Sequence, residues 1–200
     1  AEKLSTWDAF TQVAVIAAMA RRGDAAVTSA VLKATTHPEA KVRLAALEAL
    51  GFLPGTIDTL TALTQIAAGT VAAESKVAKA SLTRLNGPTI NAAILSGAER
   101  GETAGRVVLI EQPALRGLNE ALPLLLTFRT DPNPALRAAA VTAFGELAPP
   151  VDTKIVLDWA IAAADANEQA RALRALVTIT LRNPDVASRG ALLYAAVETA

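Results

Sequence analysis

Two stretches of this chain are nearly the same stretch. Residues 37–54 read HPEAKVRLAALEALGFLP, and residues 131–148 read DPNPALRAAAVTAFGELA. At an offset of 94 they share Pro38/Pro132, Arg43/Arg137, Ala45/Ala139, Ala46/Ala140, Ala49/Ala143, Gly51/Gly145 and Leu53/Leu147, with Thr36/Thr130 just before. Self-similarity of this kind marks a stack of like units, each too small to bury its apolar face alone. The constraint is architectural: whatever the chain does is done on a repeating frame.

Dividing the offset by three gives a period near 31, so two further units should lie between the strong copies. SKVAKASLTRLN (75–86) fits with Val77, Ala80, Leu82 and Leu85, and TAGRVVLIEQ (103–112) fits more loosely with Val107, Val108 and Ile110. NEQARALRALVTIT (167–180) makes a fifth. Between them, 25–36, 56–69, 119–130 and 151–164 carry apolar residues at i, i+3, i+4 and i+7, the spacing of an amphipathic helix. Each unit is expected to be a helix A, a short turn and a helix B.

Composition agrees. Hydrophobic residues make up 52% of the 200 residues and aromatics only 4%, with Ala supplying nearly a quarter. Ala is the strongest helix former and lets helices approach closely, whereas sheets draw on β-branched and aromatic residues. The expected fold class is all-α, an α-α superhelix of about 11–12 helices with no β-sheet. Five A–B pairs are expected at about 24–53, 56–86, 88–116, 118–148 and 151–182, forming a single domain over 1–200. A half-unit stands at each end, 5–22 as a lone B helix and 184–198 as a lone A helix. Neither end has the polar face of a solenoid cap, so the chain reads as an excerpt from a longer protein.

Local chemistry places the boundaries. Asn133-Pro134 and Asn183-Pro184 read as an N-cap followed by an N1 proline, and Ser5 with Asp8 as a capping box. Gly87-Pro88 reads as a helix stop, Pro123 as a tolerated first-turn proline, and Pro113 as a residue that kinks or ends the third B helix.

The A helix, H-P or D-P turn and xVRxAAxxALGxL run, strongest at 36–53 and 130–147, resemble the HEAT repeat family. The closest flavour is the short bacterial form, similar to the HEAT-like repeats of phycobilin lyases. The resemblance implies a right-handed α-solenoid that binds other proteins on a curved surface lined by its B helices. Bacterial arrays of this sort also occur in large secreted proteins beside enzymatic domains.

Several function classes find no support in the residues. Lys+Arg and Asp+Glu both number 19, so the formal net charge is zero, which counts against a dedicated nucleic-acid binder. With no Cys and a single His, there is no thiolate metal site, Cys nucleophile or zinc ligand set. His37 reads as a turn residue, because the matched copy has Asp131 in its place. No GxGxxG or GxxxxGK[ST] occurs, and Gly51 and Gly145 read as points of close helix approach. Asp158 with Asp165 and Glu99 with Glu102 read as solvated carboxylates, and Trp7, Phe10, Trp159 and Tyr194 as scattered packing residues. The chain is expected to need no cofactor and no metal, and to be non-catalytic. The longest uncharged stretch, 59–73, is too short to cross a bilayer. The opening AEKLS, without Met, tilts the expected location slightly towards an extracytoplasmic one.

Arg43 and Arg137 recur at one repeat position and are expected to reach the A–B turn of their own or the next repeat, together with Pro38, Pro132, Gly51 and Gly145 as structural residues. The partner surface is expected on the other side of the B helices. With 37–54 as ruler, 41, 44, 48 and 52 point outward together. Across repeats the strip comprises Lys41, Leu44, Glu48, Phe52, Lys76, Lys79, Thr83, Arg106, Thr142, Glu146, Arg174 and Thr178. Its mixed chemistry suits a protein or peptide partner, bound by a chain expected to be monomeric. Three readings stand side by side: an interaction scaffold, an accessory module of a larger enzyme (a lyase or fused oxidoreductase), and a DNA-binding module.

Overall fold

The computed structural model describes residues 6–198, and these form twelve α-helices with no strand among them. The helices are α1 (Ala9–Arg22), α2 (Thr28–Ala34), α3 (Ala40–Leu50), α4 (Ile57–Ala67), α5 (Ala72–Arg84) and α6 (Ile90–Arg100). There follow α7 (Thr103–Arg116), α8 (Leu122–Thr127), α9 (Pro134–Leu147), α10 (Thr153–Ile161), α11 (Ala166–Leu181) and α12 (Val186–Glu198). Two compact units divide the chain, residues 1–108 and 109–200, with the boundary inside α7.

In the first unit α3 packs between α1 and α5, while α2 lies on α3 and α4 on α5 and α6. In the second, α9 packs on α8 and α11, and α10 on α11 and α12. Within each unit B helices therefore stack on B helices, α3 on α1 and α5 and α9 on α11, and α3, α5, α9 and α11 are each backed by the preceding A helix. The pattern repeats residue by residue. α3 buries Val42, Ala46, Leu47, Ala49 and Leu50, and α9 buries Leu136, Ala140, Val141, Ala143 and Phe144 at the same five positions. α5 buries Ala78, Ser81 and Leu82 where α11 buries Ala172, Ala175 and Leu176. Small residues alternate with large ones on these faces, so that neighbouring helices interdigitate. The largest buried ring, Trp159 of α10, lies against Phe144 with centroids 6.2 Å apart and planes tilted by 51°.

The helix entries follow their capping residues. Asp8 Oδ1 accepts the N–H groups of Phe10 and Thr11, at 2.9 and 3.1 Å, and Oδ2 accepts the Thr11 hydroxyl at 2.6 Å. That hydroxyl, more than the backbone donors, holds the Asp8 carboxyl below its ordinary range. Asp8 itself is thus the N-cap, and Ser5, the expected opening of the box, lies outside the described residues. Asn133 caps α9 through the Ala135 N–H, with Pro134 at N1 as expected. Gly23, at φ 63°, closes α1 in the left-handed conformation that glycine adopts without cost.

Four expectations need correction. α7 does not end at Pro113 but runs through it to Arg116. Pro184 is not at N1 of α12, which begins at Val186. α5 ends at Arg84, with Leu85 leaving the helical region, so Gly87-Pro88 follows the stop and does not make it. There Gly55 donates to Asn86 O at 2.7 Å, and an isolated β-bridge joins Pro54 to Asn86. Three of the A segments also begin with a single 3₁₀ turn, at Ala25–Val27, Asn119–Ala121 and Pro150–Asp152.

Candidate binding surface

The frame that presents the B helices is built from recurring turn clamps. Arg43 Nη1 donates to the carbonyls of His37 and Pro38, both at 2.8 Å. Its Nε and Nη2 reach forward to Glu74 Oε1 on the next B helix, at 2.8 and 2.7 Å. Arg137 does the same one strong copy later: Nη1 donates to Asp131 O at 2.8 Å and Pro132 O at 3.3 Å. Its Nε and Nη2 bind the two oxygens of Glu168, each at 2.8 Å. A bidentate pair of this kind fixes both distance and orientation. Glu168 is only 5% exposed, at the register of buried Leu136 in α9. The hydrogen bonds from Arg137, more than its charge, hold the Glu168 carboxyl below the ordinary carboxylate range, and Glu168 correspondingly raises Arg137.

The residue before each turn proline completes the device. His37 Nδ1 accepts the Glu39 N–H at 3.1 Å, as Asp131 Oδ1 accepts the Asn133 N–H at 2.8 Å. His37 is therefore a turn residue whose ring nitrogen stands in for a carboxylate oxygen. A third version occupies the turn before α12. There Asn183 Oδ1 accepts the Asp185 N–H at 3.1 Å, and Arg189 Nε donates to Asn183 O at 2.9 Å. Its sequence signal is the heptad HPEAKVR, DPNPALR, NPDVASR: a polar residue, proline, and arginine six positions on. Glu74 and Glu168 lie 94 apart, as the arginines do, so the same self-comparison that finds Arg43/Arg137 also finds their acceptors.

Gly51, at the C-cap of α3, and Gly145, within α9, mark where B helices touch. A Cβ on Gly51 would lie 2.9 Å from Ser81 Cα, and one on Gly145 only 2.5 Å from Ala175 Cβ and 2.8 Å from its Cα. Ser81 and Ala175 again correspond at the 94-residue offset. Arg182 is a further tie that the sequence pattern did not suggest. It donates to the carbonyls of Gly145, Glu146 and Ala148, which satisfies orphan acceptors at the end of α9.

On the outward side, Lys41, Glu48 and Lys76 are exposed in the first unit, and Lys79 and Thr83 are half-buried. Phe52, 54% exposed, lies under the Arg84 guanidinium at 4.6 Å, a cation–π contact. In the second unit Thr142, Glu146 and Arg174 are exposed. The hydroxyls of Thr83, Thr142 and Thr178 bond back to the carbonyls of Lys79, Ala138 and Arg174 of their own helices. Arg106 differs from the rest of the strip. It is half-buried and its Nε donates to Ala98 O at 3.0 Å, spanning the turn between α6 and α7 as Ser75 spans the preceding one by donating to Ala67 O at 2.6 Å. Arg106 occupies the clamp register, although the sequence strip had placed it outward.

Among the described residues no group of three or more His, Cys, Asp or Glu side chains could hold a metal ion, and no helix is long and apolar enough to cross a membrane. Asp158 pairs with Lys154 at 2.9 Å, and Asp165 caps α11 through the Glu168 N–H at 2.9 Å.

Helix pairs in register, joined by proline turns that an arginine clamps, define an α-helical repeat protein. Family models agree: one described as HEAT repeats matches residues 2–83, and one described as HEAT repeat matches 121–150. The chain belongs to the HEAT repeat family. HEAT repeats commonly serve as scaffolds for protein–protein interaction and are usually non-catalytic. Comparison with curated proteins gave no match.

Proposed function

We propose that this chain is a non-catalytic interaction scaffold that holds a protein partner on the outward strip of its B helices. The supporting observation is the contrast between frame and strip. The frame residues hold at the 94-residue offset: Arg43/Arg137, Gly51/Gly145 and Glu74/Glu168 are identical pairs. All four outward ruler positions change: Lys41 to Ala135, Leu44 to Ala138, Glu48 to Thr142 and Phe52 to Glu146. A recognition module needs variable chemistry on a constant shape. Within the first unit the strip is Lys41, Glu48, Lys76, Lys79 and Thr83, with Phe52 as its aromatic member; within the second it is Thr142, Glu146 and Arg174.

The balanced charge favours a protein over a nucleic acid, whose binding would rest on phosphate neutralisation. The test is affinity capture of a partner, followed by joint substitution of Lys79, Thr142 and Arg174 with Glu. A drop in affinity of about tenfold or more, with the helical circular dichroism intact, is the expected result. Unchanged affinity refutes the strip, and turnover of a substrate by the purified chain refutes the scaffold.

A further inference from the structure

The chain as a whole is neutral, yet the charges of its first unit are sorted by element. On B helices α3 and α5 the exposed ionisable groups are Lys41, Lys76 and Arg84, against one exposed acid, Glu48. Arg43 and Glu74 of the same helices neutralise each other in the turn clamp. The other acids of the unit stand elsewhere. Asp8, Asp24 and Glu39 precede helical turns, Asp58 lies in the first turn of α4, and Glu99 and Glu102 flank the end of α6. The basic groups share their face with an aromatic ring. The step along the chain that takes buried Leu50 to buried Leu82 takes Leu44 to Lys76, Glu48 to Ala80 and Phe52 to Arg84. The last of these rungs is a contact, with the Arg84 guanidinium 4.6 Å above the Phe52 ring. Its Nη2 donates to Ser81 Oγ at 3.4 Å, and the planar fork has further N–H donors to offer a second partner. This face is not where repeats stack. α3 packs between α1 and α5, and its outward side stays open with both neighbours in place.

We propose that the partner held on the outward strip is an acidic segment of a protein, whose carboxylates pair with Lys41, Lys76 and Arg84 and whose apolar side chain lies on Phe52. The inference rests on the scaffold reading and specifies the chemistry of its partner. The carboxylates follow from charge complementarity, which sets register and rejects wrong partners. The apolar side chain follows from Phe52, which stays 54% exposed although an arginine covers it. Aromatic and arginine side chains together are the usual anchors of a protein interface. Glu48 decides against a nucleic acid. A phosphate backbone laid along this face would pass that carboxylate, whereas a peptide can set an uncharged residue beside it. A second copy of the same face would bring lysine against lysine, which disfavours association.

The probe is a random dodecapeptide library displayed on phage and selected on the whole chain, followed by anisotropy of the enriched peptides with a fluorescein label. The enriched peptides are expected to carry net negative charge and at least one large apolar residue. Their affinity is expected to fall at least about tenfold in Lys41→Glu with Lys76→Glu, and likewise in Phe52→Ala. It is also expected to fall as NaCl rises from about 50 to about 300 mM. Thr142→Glu with Arg174→Glu, in the second unit, is expected to leave it unchanged. All of these positions are exposed, so each variant should keep the helical circular dichroism. Neutral or basic peptides that are lost with Phe52→Ala would leave the strip standing and overturn its acidic partner. Acidic peptides indifferent to every first-unit variant would overturn the strip as well. No enrichment, or a labelled oligothymidylate that binds as tightly as the best peptide, overturns the proposal.

Discussion

At the scale of single residues the frame depends on a few atoms with no room to move. Gly145→Ala places a methyl carbon within 2.5 Å of Ala175 Cβ, and the helix backbone behind both must shift to relieve it. We expect a loss of about 1–3 kcal/mol by overpacking, measured by urea unfolding. A wild-type midpoint would mean that α9 and α11 do not approach as closely as their glycine requires. His37→Asp, by contrast, installs the residue found in the matched turn, whose oxygen can accept the Glu39 N–H in place of Nδ1. It should change stability by less than about 0.5 kcal/mol, and a larger loss would point to another role for the ring. The Arg137–Glu168 pair carries a pH signature. The Glu168 carboxyl is lowered in the fold, so the folded state binds fewer protons than the unfolded one in that range. Its stabilisation is complete above the ordinary glutamate range and is lost as the pH falls through the lowered value. Glu168→Gln should cost about 1.5–3 kcal/mol at neutral pH and flatten the acid limb of the stability curve. An acid limb identical to the wild type would contradict the assignment.

At the scale of elements, the periodicity located the helices, and local chemistry misjudged some of their ends. Apolar spacing cannot tell a 3₁₀ turn from the first turn of an α-helix, since both put residues i and i+3 on one side. That is why 25–36 and 119–130 read as uniform helices. Pro113 misled because its cost is local, whereas α7 buries Val108, Leu109 and Ile110, and burial of such a face overrides propensity. α11 shows the capping logic at its fullest: Asp165 Oδ1 accepts the Glu168 N–H, and Glu168 in turn accepts the Ala164 N–H at 3.3 Å and both arms of Arg137. Asp165→Ala should therefore destabilise by about 1 kcal/mol through the lost cap, readable in thermal melts. No change would show that the Arg137 pair alone orders the start of α11. The glutamates themselves were legible at the 94-residue offset, but each stands at a register that α3 and α9 fill with Val42 and Leu136, so an apolar template passes over it. The exposure of Leu173, Val177 and Leu181 on α11, at 46%, 57% and 57%, was hidden for a related reason. An apolar residue on a helix reads as core until a neighbour is found not to cover it.

At the scale of the molecule, the sequence carries its shape twice and its surface once. Arginine clamps, glycine contacts and acidic acceptors recur at a fixed distance along the chain, while the outward residues share only their position. On the proposed reading, that division separates stability from recognition and makes the two independently adjustable. Transplanting the three exposed outward residues of the second strong copy into the first, leaving half-buried Leu44, tests it most directly, through Lys41→Ala, Glu48→Thr and Phe52→Glu in one chain. The paired measurement is its melting temperature and its affinity for a captured partner. The account predicts a melting temperature within a few degrees of the wild type, because surface positions away from the clamps contribute within about 0.5 kcal/mol each, and an affinity at least about tenfold weaker. A chain that melts early yet binds its partner as the wild type does would contradict it.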